Sequence, residues 1–193
     1  MTLADPISIT RLVADQFDKL GIPYFVAGSL ASSLHGIPRA TADSDIVAGI
    51  ENQHIHSLVQ ELKADFYVDE GSIKRAVRNQ SSFNLIHLST IFKVDVFILK
   101  ADVYSKEEMA RREKHRVTEK KGEELYLASA EDIILSKLQR YKSSGEVSDR
   151  QWTDVLGVLR VQGKNLDIEF LKDAAAKRGL ENLLQDALAE SEA

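Results

Sequence analysis

At 193 residues the chain can bury a full core without staples, and its length suits one domain or a small catalytic domain with a helical appendage. It has no cysteine, which excludes a disulfide scaffold, a zinc–thiolate site and a thiol nucleophile. A formal net charge of -5 argues against a protein that binds long nucleic acid through its phosphates, and no apolar run is long enough to cross a bilayer.

Residues 1–11 contain Asp5 and Pro6 and lack the basic start and apolar core of a secretory signal, so a cytoplasmic location and no membrane partner are expected. Ile9, Leu12, Val13, Phe17 and Leu20 share one stripe, which predicts a helix over 7–20 stopped by Gly21. Residues 23–27 read as a short buried strand ending at Gly28. Ser29 to His35 reads as one short helix, broken by Gly36-Ile37-Pro38. Asp43 to Gly49 alternates as a strand, His54 to Lys63 as a helix, and Phe66 to Val68 is a strand candidate. Phe83 to Leu88 and Ile91 to Leu99 look like antiparallel strands joined at Ser89-Thr90. In the second, Phe92, Val94, Val96 and Ile98 take one face, and Lys93, Asp95 and Phe97 the other.

After Lys100 the character changes. Lys106, Arg111, Arg112, Lys114, Arg116, Lys120 and Lys121 form a basic stretch, either a solvated helix and loop or a landing strip for a polyanionic acceptor. A short Leu125-Tyr126-Leu127 strand follows, and the remainder is helical. Ser129 with Asp132, and Ser148 with Gln151, give capping-box signals before two of these helices; two more are expected near 168–177 and 179–188. The expected organisation is a core over 1–102, a charged connection over 103–124, and a mainly helical region over 125–193.

The chemistry lies in three carboxylates. Asp43 and Asp45 are two apart on one strand, so they share a face; Asp95 sits on a second strand between Val94 and Val96. Aspartate is depleted in strands, and clustered carboxylates repel one another, so such a set calls for a cation. Hard oxygen donors suit Mg2+ or Mn2+, and three of them could hold two ions roughly 4 Å apart for in-line phosphoryl displacement. Gly28 and Ser29, between a strand and a helix, offer a close backbone approach, amide donors and a hydroxyl to a phosphate. Arg39 and Thr41 stand in the loop before the carboxylate pair.

Taken together, Val26-Ala27-Gly28-Ser29, then 39–47 with Asp43-Ser44-Asp45, then Lys93-Val94-Asp95-Val96-Phe97 resemble the nucleotidyltransferase superfamily with a DNA polymerase β-like core. The resemblance covers about the first hundred residues. It implies an α+β fold, a mixed β-sheet catalytic core with flanking helices followed by a C-terminal helical bundle. It also implies that Gly28 and Ser29 contact a nucleoside triphosphate, that Asp43 and Asp45 bind both metals, and that Asp95 helps activate the acceptor hydroxyl. The residue between the paired aspartates is usually apolar in that superfamily; here it is Ser44, expected to point away from the site.

More loosely, Ala130 to Arg140 followed by Trp152-Thr153-Asp154-Val155 resembles the AbiEii-type nucleotidyltransferases of toxin–antitoxin and phage-defence systems. There Lys137 either reaches the triphosphate as a point charge or is a snorkelling surface lysine, and Asp154 is expected to be a solvent-facing helix residue. The resemblance implies transfer of a nucleoside monophosphate from a triphosphate to a hydroxyl on a tRNA end, a protein or a small molecule. The nucleotide would be held by Gly28, Ser29, Arg39, Thr41 and Lys137. A cognate protein partner is possible, and the alternative is a catalytically silent nucleotide-, RNA- or partner-binding module.

Overall fold

The computed structural model describes residues 5–117 and 124–192, so Lys120 and Lys121 of the basic stretch lie outside the described residues. The chain forms two compact units, one up to Leu30 and over Thr41–Ala128, the other over Ala31–Ala40 and from Ser129 onward.

The first unit is built on a mixed sheet. Helix α1 (Pro6–Lys19) starts where Asp5 accepts a hydrogen bond from the Ile7 amide and proline takes the first turn, where no amide partner is needed. It leads to strand β1 (Tyr24–Ala27), then to Gly28, which opens α2 (Gly28–His35). There follow β2 (Asp43–Ala48), α3 (Ile55–Leu62), β3 (Phe66–Tyr67), α4 (Glu70–Asn79), β4 (Ser82–His87), β5 (Lys93–Ile98), α5 (Val103–Arg111), β6 (Glu113–Arg116) and β7 (Glu124–Leu127). The sheet order is β3-β4-β5-β2-β1-β7-β6. β2 pairs in parallel with β5 and antiparallel with β1, and β4 pairs antiparallel with β5.

Alternation along the central strands divides the sheet into two unlike faces. Ile46, Ala48, Val94, Val96, Phe83 and Leu85 are buried, as are Val13 and Phe17 of α1, Leu58 and Leu62 of α3, and Ile73 and Ala76 of α4. These helices contribute their apolar stripes to the core; α1 contacts β2, and α4 contacts β4 and β5. The opposite face, with Asp43, Asp45, Lys93 and Asp95, stays partly exposed.

Three features differ from the sequence reading. Helix α4 had no counterpart in it; Asp69 caps this helix through the amides of Gly71 and Ser72. Within the charged connection, Val103–Arg111 forms helix α5, and Glu113–Arg116 forms strand β6, which had no counterpart in the sequence reading. Strand β7 joins the sheet beside β1, where the Ala128 amide donates to Val26 O, instead of opening the C-terminal region. A four-residue strand carries too little periodicity to announce which edge it will complete. Within the basic stretch, Arg111 pairs with Glu107, Lys114 with Glu124, and Arg112 lies over the Tyr126 ring, as on a solvated face.

The second unit contains the end of α2, the loop after it, and helices α6 (Ala130–Ser143), α7 (Asp149–Gln162), α8 (Ile168–Arg178) and α9 (Glu181–Ser191). Ser129 caps α6 as its sequence suggests, accepting from the Asp132 amide. Ser148 begins α7 but makes no side-chain cap, and Gln151 Oε1 is buried without a hydrogen-bond partner, so that capping box does not form. With this unit in place the chain is an α+β protein with a helical C-terminal region.

Candidate active site

The carboxylates come together through strand register. β2 and β5 run in parallel with Asp43 opposite Lys93 and Asp45 opposite Asp95. Register partners in a sheet project to the same face, so Asp45 and Asp95 are cross-strand neighbours, and Asp43 stands one pleat away on that face. Ser44, between the paired aspartates, is 1% exposed on the other face, where its Oγ finds no hydrogen-bond partner. It points away from the carboxylates.

Each carboxylate has a defined neighbourhood. Thr41 Oγ1 donates to Asp43 O at 2.8 Å and stands 3.4 Å from Asp43 Oδ1, which ties the loop to the start of β2. Asp45 lies against Gly28: a Cβ built on this glycine would sit 1.8 Å from Asp45 Oδ2 and 2.7 Å from its Cγ. Gly28 also has φ of 62°, which side-chain-bearing residues adopt at a cost. Both facts require glycine where strand β1 turns into α2. Ser29, next in sequence, occupies the first turn of α2 and is partly buried.

Asp95 is engaged by two residues the sequence reading gave no role. Asn84, its register partner on β4, donates to Asp95 Oδ1, and Lys93 Nζ lies 2.7 Å from Asp95 Oδ2. The same ammonium is 3.9 Å from Asp43 Oδ2. Asp95 holds the Lys93 ammonium above its ordinary pKa by hydrogen bond, against the opposing effect of burial and with help from the charges of Asp43 and Asp45. Lys93 was legible as a face-mate of Asp95. Asn84 was not, because only tertiary register sets it opposite.

This face carries oxygen donors of the type that binds Mg2+ or Mn2+, and a positive group already sits on two of them. Among the described residues no group of three acidic or histidine side chains is gathered to hold a metal as it stands. Lys93 and Asn84 engage Asp95, and Asp45 lies against Gly28. The chemistry of these donors suits such an ion, and the Lys93 ammonium stands on two of them.

The other residues expected to bind nucleotide, Arg39 and Lys137, lie in the second unit, where they meet on Asp154. Lys137 Nζ donates to Asp154 Oδ2 at 2.6 Å, and Arg39 donates to both Asp154 oxygens, through Nε at 2.7 Å and Nη2 at 2.8 Å. The side chains of Lys137 and Asp154 are 3% and 5% exposed and that of Arg39 is 26% exposed. Asp154, expected to face solvent, is buried, and of the two readings of Lys137 its burial removes the snorkelling surface lysine. An aspartate accepting from a guanidinium and an ammonium is drawn into the interior, because either cation buried alone would cost several kcal/mol, on the order of 3–5. Burial raises the Asp154 pKa, but hydrogen bonds from Arg39 and Lys137 outweigh it and hold the carboxyl below its ordinary value. Burial also lowers Lys137, partly offset by Asp154.

No family model matches the sequence, and no match was found among curated proteins. Solved structures do match. ANT(2")-Ia in complex with adenylyl-2"-tobramycin aligns with a TM-score of 0.58 at 13% identity, over 89% of this chain and 97% of the other. An antigenic nucleotidyltransferase-like protein from Paracoccidioides brasiliensis aligns with a TM-score of 0.55 at 17% identity, over 95% and 91%. The lincosamide antibiotic adenylyltransferase LnuA, lincomycin-bound, aligns with a TM-score of 0.52 at 12% identity, over 82% and 98%. The chain has the nucleotidyltransferase fold. At these identities the likeness establishes the fold, and function has to be argued from the site.

Proposed function

We propose that this protein is a nucleotidyltransferase that moves a nucleoside monophosphate from a nucleoside triphosphate to a hydroxyl acceptor. The observation that carries the reading is the placement of Asp45 opposite Asp95, with Asp43 on the same face and Gly28 packed on the Asp45 carboxylate. Support comes from two fold-mates, one named an adenylyltransferase and bound to lincomycin, the other in complex with adenylyl-2"-tobramycin.

In this reading Asp43, Asp45 and Asp95 hold Mg2+ or Mn2+, which supplies charge neutralisation of the triphosphate and a lowered pKa for a bound hydroxyl. The Gly28-Ser29 turn gives the triphosphate a close backbone approach and donors at the start of α2. The acceptor oxygen forms a bond to the α-phosphorus, the bond to the pyrophosphate oxygen breaks, and pyrophosphate leaves with that electron pair. The acceptor proton passes to Asp95 and from there to solvent. Positioning and electrostatics do most of the catalysis.

A second reading, a catalytically silent nucleotide-binding module, has one observation in its favour: the Asp95 carboxylate is already taken by Lys93 and Asn84. The toxin–antitoxin or defence setting has only the loose sequence resemblance behind it.

One experiment separates the readings. Melting curves of wild type and Asp45→Asn are compared with and without Mn2+ and triphosphate. The enzyme reading expects the wild type to gain stability with metal, because a ligand that binds only the folded state stabilises it by mass action. It expects the variant to lose transfer, to match or slightly exceed the metal-free wild type in stability, and to gain much less from metal. Equal metal-induced shifts in both proteins would remove Asp45 from the ligand set and leave the silent module standing.

A further inference from the structure

A cleft of about 610 Å³ opens beside the carboxylates, within the first unit. Its polar lining comes from Ser72, Arg75 and Asn79 of α4, Ser82 and Asn84 of β4, and Lys93 of β5. It exists because β3 pairs only with Ile86 and His87, leaving the Ser82 end of β4 without a strand on that side among the described residues. Two of the lining residues, Asn84 and Lys93, are the ones that touch Asp95. The cleft and the carboxylates therefore share side chains.

Position and charge say what the cleft takes. The sheet order β4-β5-β2-β1 puts Gly28, at the end of β1, on one side of the carboxylates and the cleft on the other. In-line displacement needs the attacking oxygen and the leaving pyrophosphate on opposite sides of the phosphorus. With the triphosphate on the Gly28 side, the acceptor comes from the cleft. The lining holds two cationic groups, Arg75 and Lys93, and one carboxylate, Asp69. Asp69 is committed to the N-terminus of α4, where it accepts from the amides of Gly71 and Ser72 and from Ser72 Oγ. Arg75 Nη2 lies 3.6 Å from Asp69 Oδ2 and donates to Ser72 Oγ, so an anion in the cleft would meet Lys93 and share Arg75 with this carboxylate, with hydroxyl and amide groups around it.

Lys93 connects this cleft to the metal-binding face. Its ammonium is a tethered cation, 2.7 Å from Asp95 and 3.9 Å from Asp43, on a side chain that is 43% exposed. A divalent ion on the same oxygens would repel it, and unlike charges in the cleft would attract it. We propose that the α4–β4 cleft binds an acceptor carrying a phosphate group beside its hydroxyl, and that Lys93 couples this site to the cation site, leaving Asp43 and Asp95 for the acceptor's phosphate when a divalent ion binds. The inference rests on the nucleotidyltransferase reading. It predicts mutual reinforcement: a cation tightens the acceptor's phosphate group by the same factor as that group tightens the cation.

The test is titration calorimetry with ribose 5-phosphate, a phosphate and hydroxyls without a base, and a non-hydrolysable triphosphate filling the nucleotide side. Wild type is expected to bind ribose 5-phosphate about tenfold more tightly with Mn2+ than without, within the usual range of coupling between sites. Lys93→Met, or Lys93→Gln should the first variant not fold, is expected to bind Mn2+ more tightly and to lose the metal dependence of ribose 5-phosphate. Arg75→Gln is expected to weaken ribose 5-phosphate with and without Mn2+. A short RNA competing for the site would identify a nucleic-acid 3′ end as the source of the sugar phosphate, and failure to compete would identify a free metabolite. Mn2+ binding with no change in ribose 5-phosphate affinity, persistence of the coupling in both Lys93 variants, or no effect of Arg75→Gln would overturn the inference alone. Failure of wild type to bind Mn2+ would overturn the nucleotidyltransferase reading with it.

Discussion

Two small residues beside the carboxylates show how much one atom matters. Ser44 sits between the paired aspartates yet faces the core, with its hydroxyl buried and unpartnered. An unmade hydrogen bond in the interior costs about 1–3 kcal/mol. Ser44→Ala should therefore raise stability by about 1 kcal/mol, a shift of roughly 2–4 °C in Tm for a chain of this size, with metal binding unchanged. A lower Tm in that variant would mean the hydroxyl is satisfied in solution. Gly28 presents the opposite case. Adding a methyl there forces the Asp45 carboxylate aside and places an L-residue at φ of 62°. Gly28→Ala should cost at least about 1–2 kcal/mol from the backbone alone. It should also abolish the metal-induced rise in Tm, because the displaced group is a proposed ligand.

At the scale of elements, the loop after α2 and helix α7 are joined by close packing and charge. A Cβ on Gly36 would lie 2.7 Å from the Gly157 carbonyl carbon, so the loop backbone lies directly on α7. Asp154, one turn earlier on α7, then receives Arg39 from the loop and Lys137 from α6. Removing the carboxylate leaves the buried Lys137 ammonium and the partly exposed Arg39 guanidinium without this anion. Asp154→Ala should cost about 3–5 kcal/mol in urea unfolding at neutral pH. The pH dependence follows from the lowered carboxyl pKa. Stability from this group is present above its ordinary value of 3.8 and is lost as pH falls through the lower, folded value. The gap between wild type and Asp154→Ala should then narrow on acidification below about pH 4. A gap that stays constant down to pH 2 would show that the Asp154 charge contributes nothing.

For the whole molecule, the metal site and the folded state are linked. If Mn2+ with triphosphate is present at about a hundredfold over its dissociation constant, the gain is about 2.7 kcal/mol, or roughly 5–10 °C in Tm. Asp45→Asn should show a small fraction of that, by differential scanning fluorimetry; a shift of full size would count against the carboxylate assignment. The sequence by itself determined the elements and their faces. Strand alternation set Asp43 with Asp45 and Lys93 with Asp95, turned Ser44 inward, and glycine marked the turn into α2; these are consequences of local geometry, which repeats every two or 3.6 residues. The tertiary structure alone decided what these faces meet. Asp45 is opposite Asp95 because two distant strands pair in one register, Asn84 reaches Asp95 by the register of a third, and β7 completes an edge of β1. Asp154 lost its expected place in solvent for the same reason. Whether a charged helix position faces water or a pair of cations depends on which chain segment packs on it, and local periodicity carries no information about a partner far away in sequence.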